Sequence, residues 1–235
     1  MDLLWHGVAQ ALALVAHGDA QLIRITLLSL GVSLTATALA ALLGVPLGVW
    51  LAAGRGRGGA WLQALVHTGM ALPPVVVGLV VSLVLWRSGP LGVLRLIYTP
   101  GAMVLAQFIV AAPIAAGLTR VGVAALDPEL VQALRMDGAS GIWLGRELVR
   151  AALPQVLAAV AAAFGRAIAE VGASLMVGGN ILGQTRILTT AITLETSRGD
   201  FALAIALGIV LLALAFVVNA ALTALERSSN DTRPL

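Results

Sequence analysis

The sequence has no cysteine and no lysine, and charged residues make up only 11% of its 235 positions. Without cysteine, neither disulfide bonds nor thiolate metal sites can form. Without lysine, the chain lacks the glycine-rich, lysine-containing phosphate loop of ATPases, so we do not expect it to hydrolyse ATP. Its histidines (His6, His17 and His67) are scattered along the sequence, and we predict no metal site, no catalytic site and no cofactor.

Hydrophobic residues make up 60% of the chain. Soluble domains carry about a quarter charged residues, so this composition predicts an all-α integral membrane protein. It leaves no room for a separate soluble domain, and we therefore treat residues 1–235 as a single domain. The excess positive charge comes entirely from arginine, and we attribute it to orientation in the membrane rather than to binding of nucleic acid.

The apolar segments predict about five transmembrane helices. They cover residues 25–54, 61–86, 101–118, 153–177 and 201–225. In the first span, the spacing of Gly44 and Gly48 favours close helix packing. In the second, Pro73 and Pro74 predict a break. Residues 1–20 precede these spans and are typical of an amphipathic helix on the membrane surface, because apolar side chains recur at helical spacing at Leu4, Val8, Leu12 and Val15.

Residues 125–152, here called the charged hairpin, form the one long segment that is strongly charged and flanked by apolar runs. Asp127 and Pro128 are typical of a helix start. Gly138 and Gly141 lie in a turn that interrupts the apolar pattern, and a second helix follows. A charged hairpin in a membrane protein has to lie in water, so we expect it to face a soluble partner.

The distribution of arginine predicts the orientation. If the charged hairpin is cytoplasmic, the inner side has the larger share, in agreement with the positive-inside rule. The inner arginines are then Arg55, Arg57, Arg120, Arg135, Arg146, Arg150, Arg227 and Arg233, and the outer ones are Arg24, Arg87, Arg95, Arg186 and Arg198. An odd number of spans then places the N-terminus outside and the C-terminus in the cytoplasm.

Residues 164–200 contain the second group of candidate functional side chains. Arg166 and Glu170 are four residues apart, so on one helix face they lie within pairing distance. Arg166 falls near the middle of the fourth span, where charges are rare and usually face the bundle interior or a water-filled path. Two interpretations stay open: the pair lies on a translocation pathway, or it only locks helix packing.

A turn at Gly178, Gly179 and Asn180 ends that span, and a short amphipathic helix follows. It is too short to cross a bilayer, so we expect it to be re-entrant or to lie at the outer surface. Its start combines hydroxyl groups, an arginine and free backbone N–H groups, which together suit an oxyanion. The candidate pathway residues are therefore Arg166, Glu170, Asn180, Thr185, Arg186, Thr189 and Thr190. The alternative for the short helix is a capped surface helix that contacts a partner protein.

Three short motifs resemble the EAA loop of bacterial ABC-importer permeases. They are Gln132-Ala133-Leu134, Asp137-Gly138-Ala139 and Leu153-Pro154. Two features depart from the usual pattern, since Gln132-Ala133-Leu134 replaces Glu-Ala-Ala and the spacing from glycine to proline is longer. In that family the loop docks into a groove on the ATP-binding subunit. The resemblance implies the same role for Gln132, Ala133, Asp137, Gly138 and Ala139.

The segment AEVGASLMVGGNI, followed by QTRILTTAI and ETSRGDF, is similar to the permease subunits of tungstate-type ABC importers. The surrounding family also contains molybdate and sulfate permeases. The resemblance implies a type I ABC-importer permease fold and a homodimer in the lipid of the bacterial inner membrane. It also implies a separate ATPase subunit and an extracytoplasmic solute-binding protein as partners. On this basis we expect an ATP-driven oxyanion importer, with tungstate as the favoured substrate.

Two alternatives stay open for the function. A molybdate or sulfate permease would have the same architecture, because such importers draw most of their selectivity from the binding protein. A stand-alone secondary anion transporter would move its substrate without ATP or a partner, and it would not need the charged hairpin.

Overall fold

The computed structural model describes residues 2–54 and 57–231, and this part of the chain is helical throughout, with short connections. In order, the helices are α1 (Asp2–Ala16), α2 (Ala20–Ala53), α3 (Arg57–Met70), α4 (Pro74–Leu85), a single 3-10 turn (Gly92–Leu94), α5 (Pro100–Ala124), α6 (Pro128–Met136), α7 (Gly141–Ala151), α8 (Leu153–Ile168), α9 (Gly172–Gly178), α10 (Leu188–Ser197) and α11 (Phe201–Asp231).

Three of the described helices are long and apolar enough to cross a membrane alone: Ala20–Ala53, Pro100–Ala124 and Phe201–Leu225. Two further pairs pass the same test when each bent pair is taken as one span, which gives up to five spans in the described residues. These pairs are Gly59–Met70 with Pro74–Leu85, and Gly141–Ala151 with Leu153–Ile168. The chain is a multi-pass membrane protein, and the prediction of about five spans agrees with this range.

Contacts divide the chain into two compact units. Unit 1 comprises Met1–Ala36, Pro73–Gln107 and Arg166–Val218, and unit 2 comprises Thr37–Leu72, Phe108–Gly165 and Asn219–Leu235. Each unit is therefore assembled from three separate stretches of sequence. The long helices α2, α5 and α11 each begin in one unit and end in the other.

In unit 1, the first part of α2 packs against α10 and α11 through a core of Leu22, Ile25, Leu188, Ala191 and Leu207. Helices α4 and α9 touch closely where glycine removes a side chain. A Cβ atom on Gly78 would lie 2.7 Å from the Cα of Ala173, which is too close for any larger residue. Helix α1 contacts α11, since Gly7 lies against Ile205.

In unit 2, the second part of α2 packs against α5. A Cβ atom on Gly44 would lie 2.9 Å from the carbonyl oxygen of Ala112, and one on Gly48 would collide with the carbonyl oxygen of Ala116. The predicted close packing at these glycines is therefore confirmed. The predicted break at Pro73 and Pro74 is also confirmed, because α3 ends at Met70 and α4 begins at Pro74.

The predicted bounds of the fourth span are wrong. Residues 153–177 do not form one helix, because α8 ends at Ile168 and α9 begins only at Gly172. At the start of α9, the carboxylate of Glu170 accepts a hydrogen bond from the backbone N–H of Ala173 at 2.9 Å. This contact satisfies a backbone donor that the break leaves without a partner in the preceding turn.

The short helix α10 is half-buried in unit 1. Five of its ten residues are buried: Leu188, Thr189, Thr190, Ala191 and Glu195. Several predictions concern residues beyond the described part of the chain. Arg55 and Arg233 lie outside it, as do the side chains of Leu4, Val15, Arg57 and Arg227.

Candidate functional site

The charged hairpin consists of α6, a four-residue turn and α7. Asp127 caps α6, because its carboxylate accepts the backbone N–H of Glu129 at 2.8 Å. The predicted helix start is therefore confirmed. At the other end of α6, the N–H of Gly138 donates to the carbonyl oxygen of Arg135 at 3.1 Å, and the N–H of Ala139 donates to that of Leu134 at 3.0 Å.

This pair of hydrogen bonds is a Schellman cap, which needs a residue in the left-handed region. Gly138 has φ +85°, and no atom outside its neighbours lies within 4 Å of where its Cβ would be. Glycine is needed at this position for its backbone conformation and not for space. Gly138 therefore sets the angle at which the chain leaves α6.

One face of the hairpin packs on the membrane helices of unit 2. Leu148 is only 1% exposed and lies in a core with Val49 of α2 and Val123 of α5. Val131 and Leu134 of α6 pack on the same core. The hairpin is thus held to two long helices by apolar contact, so a displacement of the hairpin would be transmitted to them.

The hairpin also carries large apolar side chains that are exposed. Ile142 is 94% exposed, Met136 is 87% exposed and Trp143 is 54% exposed. Of the predicted docking residues, Gln132, Ala133, Asp137 and Gly138 are exposed, while Ala139 is buried. Sequence reasoning misses Met136 and Ile142 as docking candidates, because a helix pattern does not reveal which apolar residues lie beside a turn rather than against the core.

A second site lies in unit 1, where buried polar side chains form what we call the polar layer. Its members are Ser29, Ser33, Gln107, Glu170, Ser174, Thr185, Thr189 and Thr190, all of them buried. Arg166, Asn180 and Arg186 border the layer and are half-buried. All seven candidate pathway residues are therefore members of the layer or its neighbours.

Glu170 is a member of the layer and is 2% exposed. Its carboxylate pairs with the guanidinium of Arg166 at 3.2 Å, so the predicted pairing is confirmed. Its backbone carbonyl oxygen also accepts the hydroxyl of Thr189 at 3.0 Å. Glu170 therefore connects α8, α9 and α10. The Arg166 side chain is one-third exposed, so one part of the pair faces open space.

The remaining threonines of the layer hold the connection between α9 and α10. The Thr185 hydroxyl donates to the carbonyl oxygen of Gly178 and accepts the N–H of Ile181. The Thr190 hydroxyl accepts the N–H of Ile187 at 3.1 Å. These hydroxyl groups are already used by the protein itself.

Asn180 and Arg186 are also partners of one another. Asn180 has φ 52°, a left-handed conformation that asparagine tolerates better than most residues. Arg186 donates to the Asn180 side-chain oxygen at 3.3 Å and to its backbone oxygen at 3.4 Å. The start of α10 is less open than the sequence suggests, because the N–H of Leu188 donates to the Ser29 hydroxyl at 2.8 Å.

Sequence reasoning misses Gln107, which joins three helices of unit 1. Its side-chain oxygen accepts the Ser33 hydroxyl at 3.0 Å, and its side-chain nitrogen donates to the Ser174 hydroxyl at 3.1 Å. A signal was present, since Gln107 is the one strongly polar residue among positions 101–118. A lone amide in an apolar span needs partners on other helices.

Comparison with known proteins defines the class. The fold resembles the methionine ABC transporter MetNI in an inward-facing conformation, with a TM-score of 0.75 over 90% of this chain and 96% of that one, at 19% identity. Residues 44–230 match the family model described as binding-protein-dependent transport system inner membrane component. The chain belongs to this family of transport permeases.

Two relatives are similar over most of their length. The tungstate uptake system permease protein TupB of Peptoclostridium acidaminophilum is 38% identical over 96% of this chain and 99% of its own. A probable anion ABC transporter permease protein of Haloferax volcanii is 44% identical over 85% of this chain and 88% of its own.

Proposed function

We propose that this chain is the permease subunit of an ATP-driven tungstate importer of the inner membrane. The observation that carries the proposal is the similarity to the tungstate permease TupB, which extends over 96% of this chain. The chain itself would not hydrolyse ATP, since it has no lysine for a phosphate loop. A separate ATPase subunit would supply the energy, and an extracytoplasmic binding protein would deliver the oxyanion.

The exposed apolar side chains of the charged hairpin support the assignment of an ATPase partner. Large apolar side chains that stand almost fully exposed beside one another usually mark a surface that another protein covers. Met136 and Ile142 flank the turn of the hairpin and are both largely exposed, and Gln132 and Asp137 provide exposed polar groups in the same hairpin. Movement of the docked ATPase would then reach α2 and α5 through the buried core around Leu148.

The pathway assignment rests on the partly exposed Arg166. A cation in a membrane protein that keeps part of its guanidinium accessible is suited to an anion passing through a water-filled path. Glu170 would keep the arginine in place, and Thr185, Thr189 and Thr190 would hold the surrounding backbone. Asn180 and Arg186 would border the same path. We further propose a homodimer with the N-terminus outside and the C-terminus in the cytoplasm.

The first experiment measures uptake of tungstate by cells that express this chain with its cognate ATPase and binding protein. Uptake that requires ATP and persists in excess molybdate or sulfate is the expected result. Uptake that excess molybdate suppresses would extend the substrate to both oxyanions. Uptake that continues without the ATPase would contradict the importer and favour a secondary transporter.

A second experiment tests the docking surface through Ile142→Asp. We expect loss of the ATPase on co-purification, because a charged side chain would have to be buried in the interface. The free energy of unfolding of the permease should stay within about 0.5 kcal/mol of the wild-type value, since Ile142 is 94% exposed. Val93→Asp is the matched control, because Val93 is 87% exposed in unit 1. Equal retention of the ATPase by both variants would refute the docking assignment.

A further inference from the structure

Unit 2 contains a large cavity between the end of α2 and the start of α7, with a volume of about 880 Å³. We call it the α2–α7 cavity. Its α2 wall consists of apolar side chains, among them Val45, Val49 and Trp50. Its α7 wall includes Ile142, Leu144 and Gly145. The volume is within the range of sites that take small amphiphilic ligands, which is about 300–1,000 Å³.

The charged groups that line this cavity are both cationic. They are Arg135 on α6 and Arg146 on α7, and no acidic residue lines it in the described part of the chain. Arg135 is positioned by a hydrogen bond of 3.4 Å from its guanidinium to the carbonyl oxygen of Ala53. A cavity with a mainly apolar wall and two arginines is complementary to a molecule with a hydrocarbon body and an anionic head.

The place of the cavity in the chain indicates where such a molecule comes from. It opens beside the last turns of α2, a helix long and apolar enough to span the membrane. Trp50 is 55% exposed at this end, and two arginines, Arg55 and Arg57, follow in the sequence. Tryptophan followed by arginine is typical of the boundary between hydrocarbon and headgroups.

We propose that the α2–α7 cavity binds an anionic phospholipid, with an acyl chain along Val45, Val49 and Leu144 and the phosphate between Arg135 and Arg146. The site lies against the charged hairpin, so the bound lipid would support the hairpin from the membrane side. This assignment is independent of the transported substrate, and failure of tungstate uptake would leave it unchanged.

The test measures lipids retained by the full-length permease, purified with its ATPase, using native mass spectrometry. The probes are phosphatidylglycerol and phosphatidylcholine with identical acyl chains. The charge variant is Arg135→Gln with Arg146→Gln. We expect roughly thirtyfold weaker retention of phosphatidylglycerol, because each arginine near a lipid phosphate contributes about a fivefold factor. Retention of phosphatidylcholine should not change.

Arg150→Gln is the matched control for charge. Arg150 is also on α7 and is 59% exposed, but it pairs with Glu147 at 2.9 Å and does not line the cavity. Its substitution should leave lipid retention at the wild-type level. Equal losses for the control and the double variant would show a diffuse charge effect and overturn the site.

Gly145→Leu tests the apolar part of the cavity. A Cβ atom at Gly145 would lie 3.8 Å from Val49, which is ordinary van der Waals contact, and Gly145 lines the cavity. Replacing glycine inside a helix also favours folding. We expect loss of both lipids from this variant. Retention of phosphatidylglycerol at the wild-type level would overturn the proposal.

Two further arms separate other occupants from the lipid. Inorganic phosphate in excess should not displace phosphatidylglycerol, and displacement would show a simple anion site instead. Permease purified without the ATPase should retain the same lipid as the complete transporter. A lipid that is present only without the ATPase would identify the ATPase as the natural occupant and overturn the proposal.

Discussion

The charged hairpin and the polar layer contain similar numbers of polar groups but use them in opposite ways. In the hairpin, Gln132 and Asp137 are exposed, and the apolar Met136 and Ile142 stand in the open beside them. In the polar layer, Gln107 and Glu170 are buried, and each has hydrogen-bond partners on other helices or on the adjoining backbone. The hairpin is arranged for a partner outside the chain, whereas the layer is arranged around contacts within it.

This difference teaches where substitutions should act. Removing a group from the polar layer leaves another group buried without a partner, so folding should suffer first. Removing a group from the hairpin exposes nothing new, so assembly and coupling should suffer first. Measuring stability and function separately therefore distinguishes the two regions.

The largest loss of stability is expected for Arg166→Leu, which leaves the buried carboxylate of Glu170 without its cation. We expect a decrease of about 2–3 kcal/mol in the free energy of unfolding. The double variant Arg166→Leu with Glu170→Gln should recover at least half of it, because glutamine keeps an acceptor for the Ala173 N–H. Thermal unfolding of the purified protein measures both. A double variant less stable than the single one would show that the unpaired carboxylate of Glu170 is not the cause of the loss.

A smaller loss is expected for Ser29→Ala, which removes the acceptor of the buried Leu188 N–H. An unsatisfied buried donor costs about 1–3 kcal/mol. Ser82→Ala is the matched control in the same unit, because the buried Ser82 hydroxyl has no hydrogen-bond partner among the described residues. The control should be neutral or slightly stabilising. If the two serines behave alike in thermal unfolding, hydrogen bonding does not hold the layer together.

The smallest effect on stability is expected in the hairpin, at Gly138. Gly138→Val should lower stability by about 1 kcal/mol, because a branched residue resists the left-handed conformation. Gly138→Asn tolerates this conformation and serves as the control. We expect the valine variant to hydrolyse ATP with less uptake per ATP, because the turn meets the ATPase at a changed angle. Equal coupling ratios for valine and asparagine would argue against a role of this turn.

Several features of the fold and of the candidate site could be predicted because they depend on residues close together in the sequence. The cap at Asp127 depends on a residue two positions away, and it forms as predicted. The pairing of Arg166 with Glu170 follows from a spacing of four residues. The spacing of Gly44 and Gly48 in α2 predicts the close packing that the structure shows against α5.

The rest depends on groups that are distant in the sequence or on competition between equal local signals. The contact of Ser29 with Leu188 joins positions 159 residues apart, and no pattern within either helix indicates it. The break after Ile168 is accompanied by a hydrogen bond from the Ala173 N–H to the Glu170 carboxylate, although Glu170 at helical spacing also suits a continuous α8. Exposure of Ile142 depends on which side of α7 meets α2 and α5, which only the assembled unit decides.

The hydrogen bond between Ser29 and Leu188 also has a consequence for biosynthesis. The Ser29 hydroxyl donates to the carbonyl oxygen of Ile25 at 2.7 Å, so this serine is satisfied within its own helix as soon as α2 forms. The ribosome adds Leu188 159 residues after Ser29. At typical rates of synthesis this is a delay of roughly 8 to 30 s. Helix α2 can therefore enter the bilayer before α10 is synthesised. Helix α10, in contrast, can bury the N–H of its first turn only after α2 is in place to accept it.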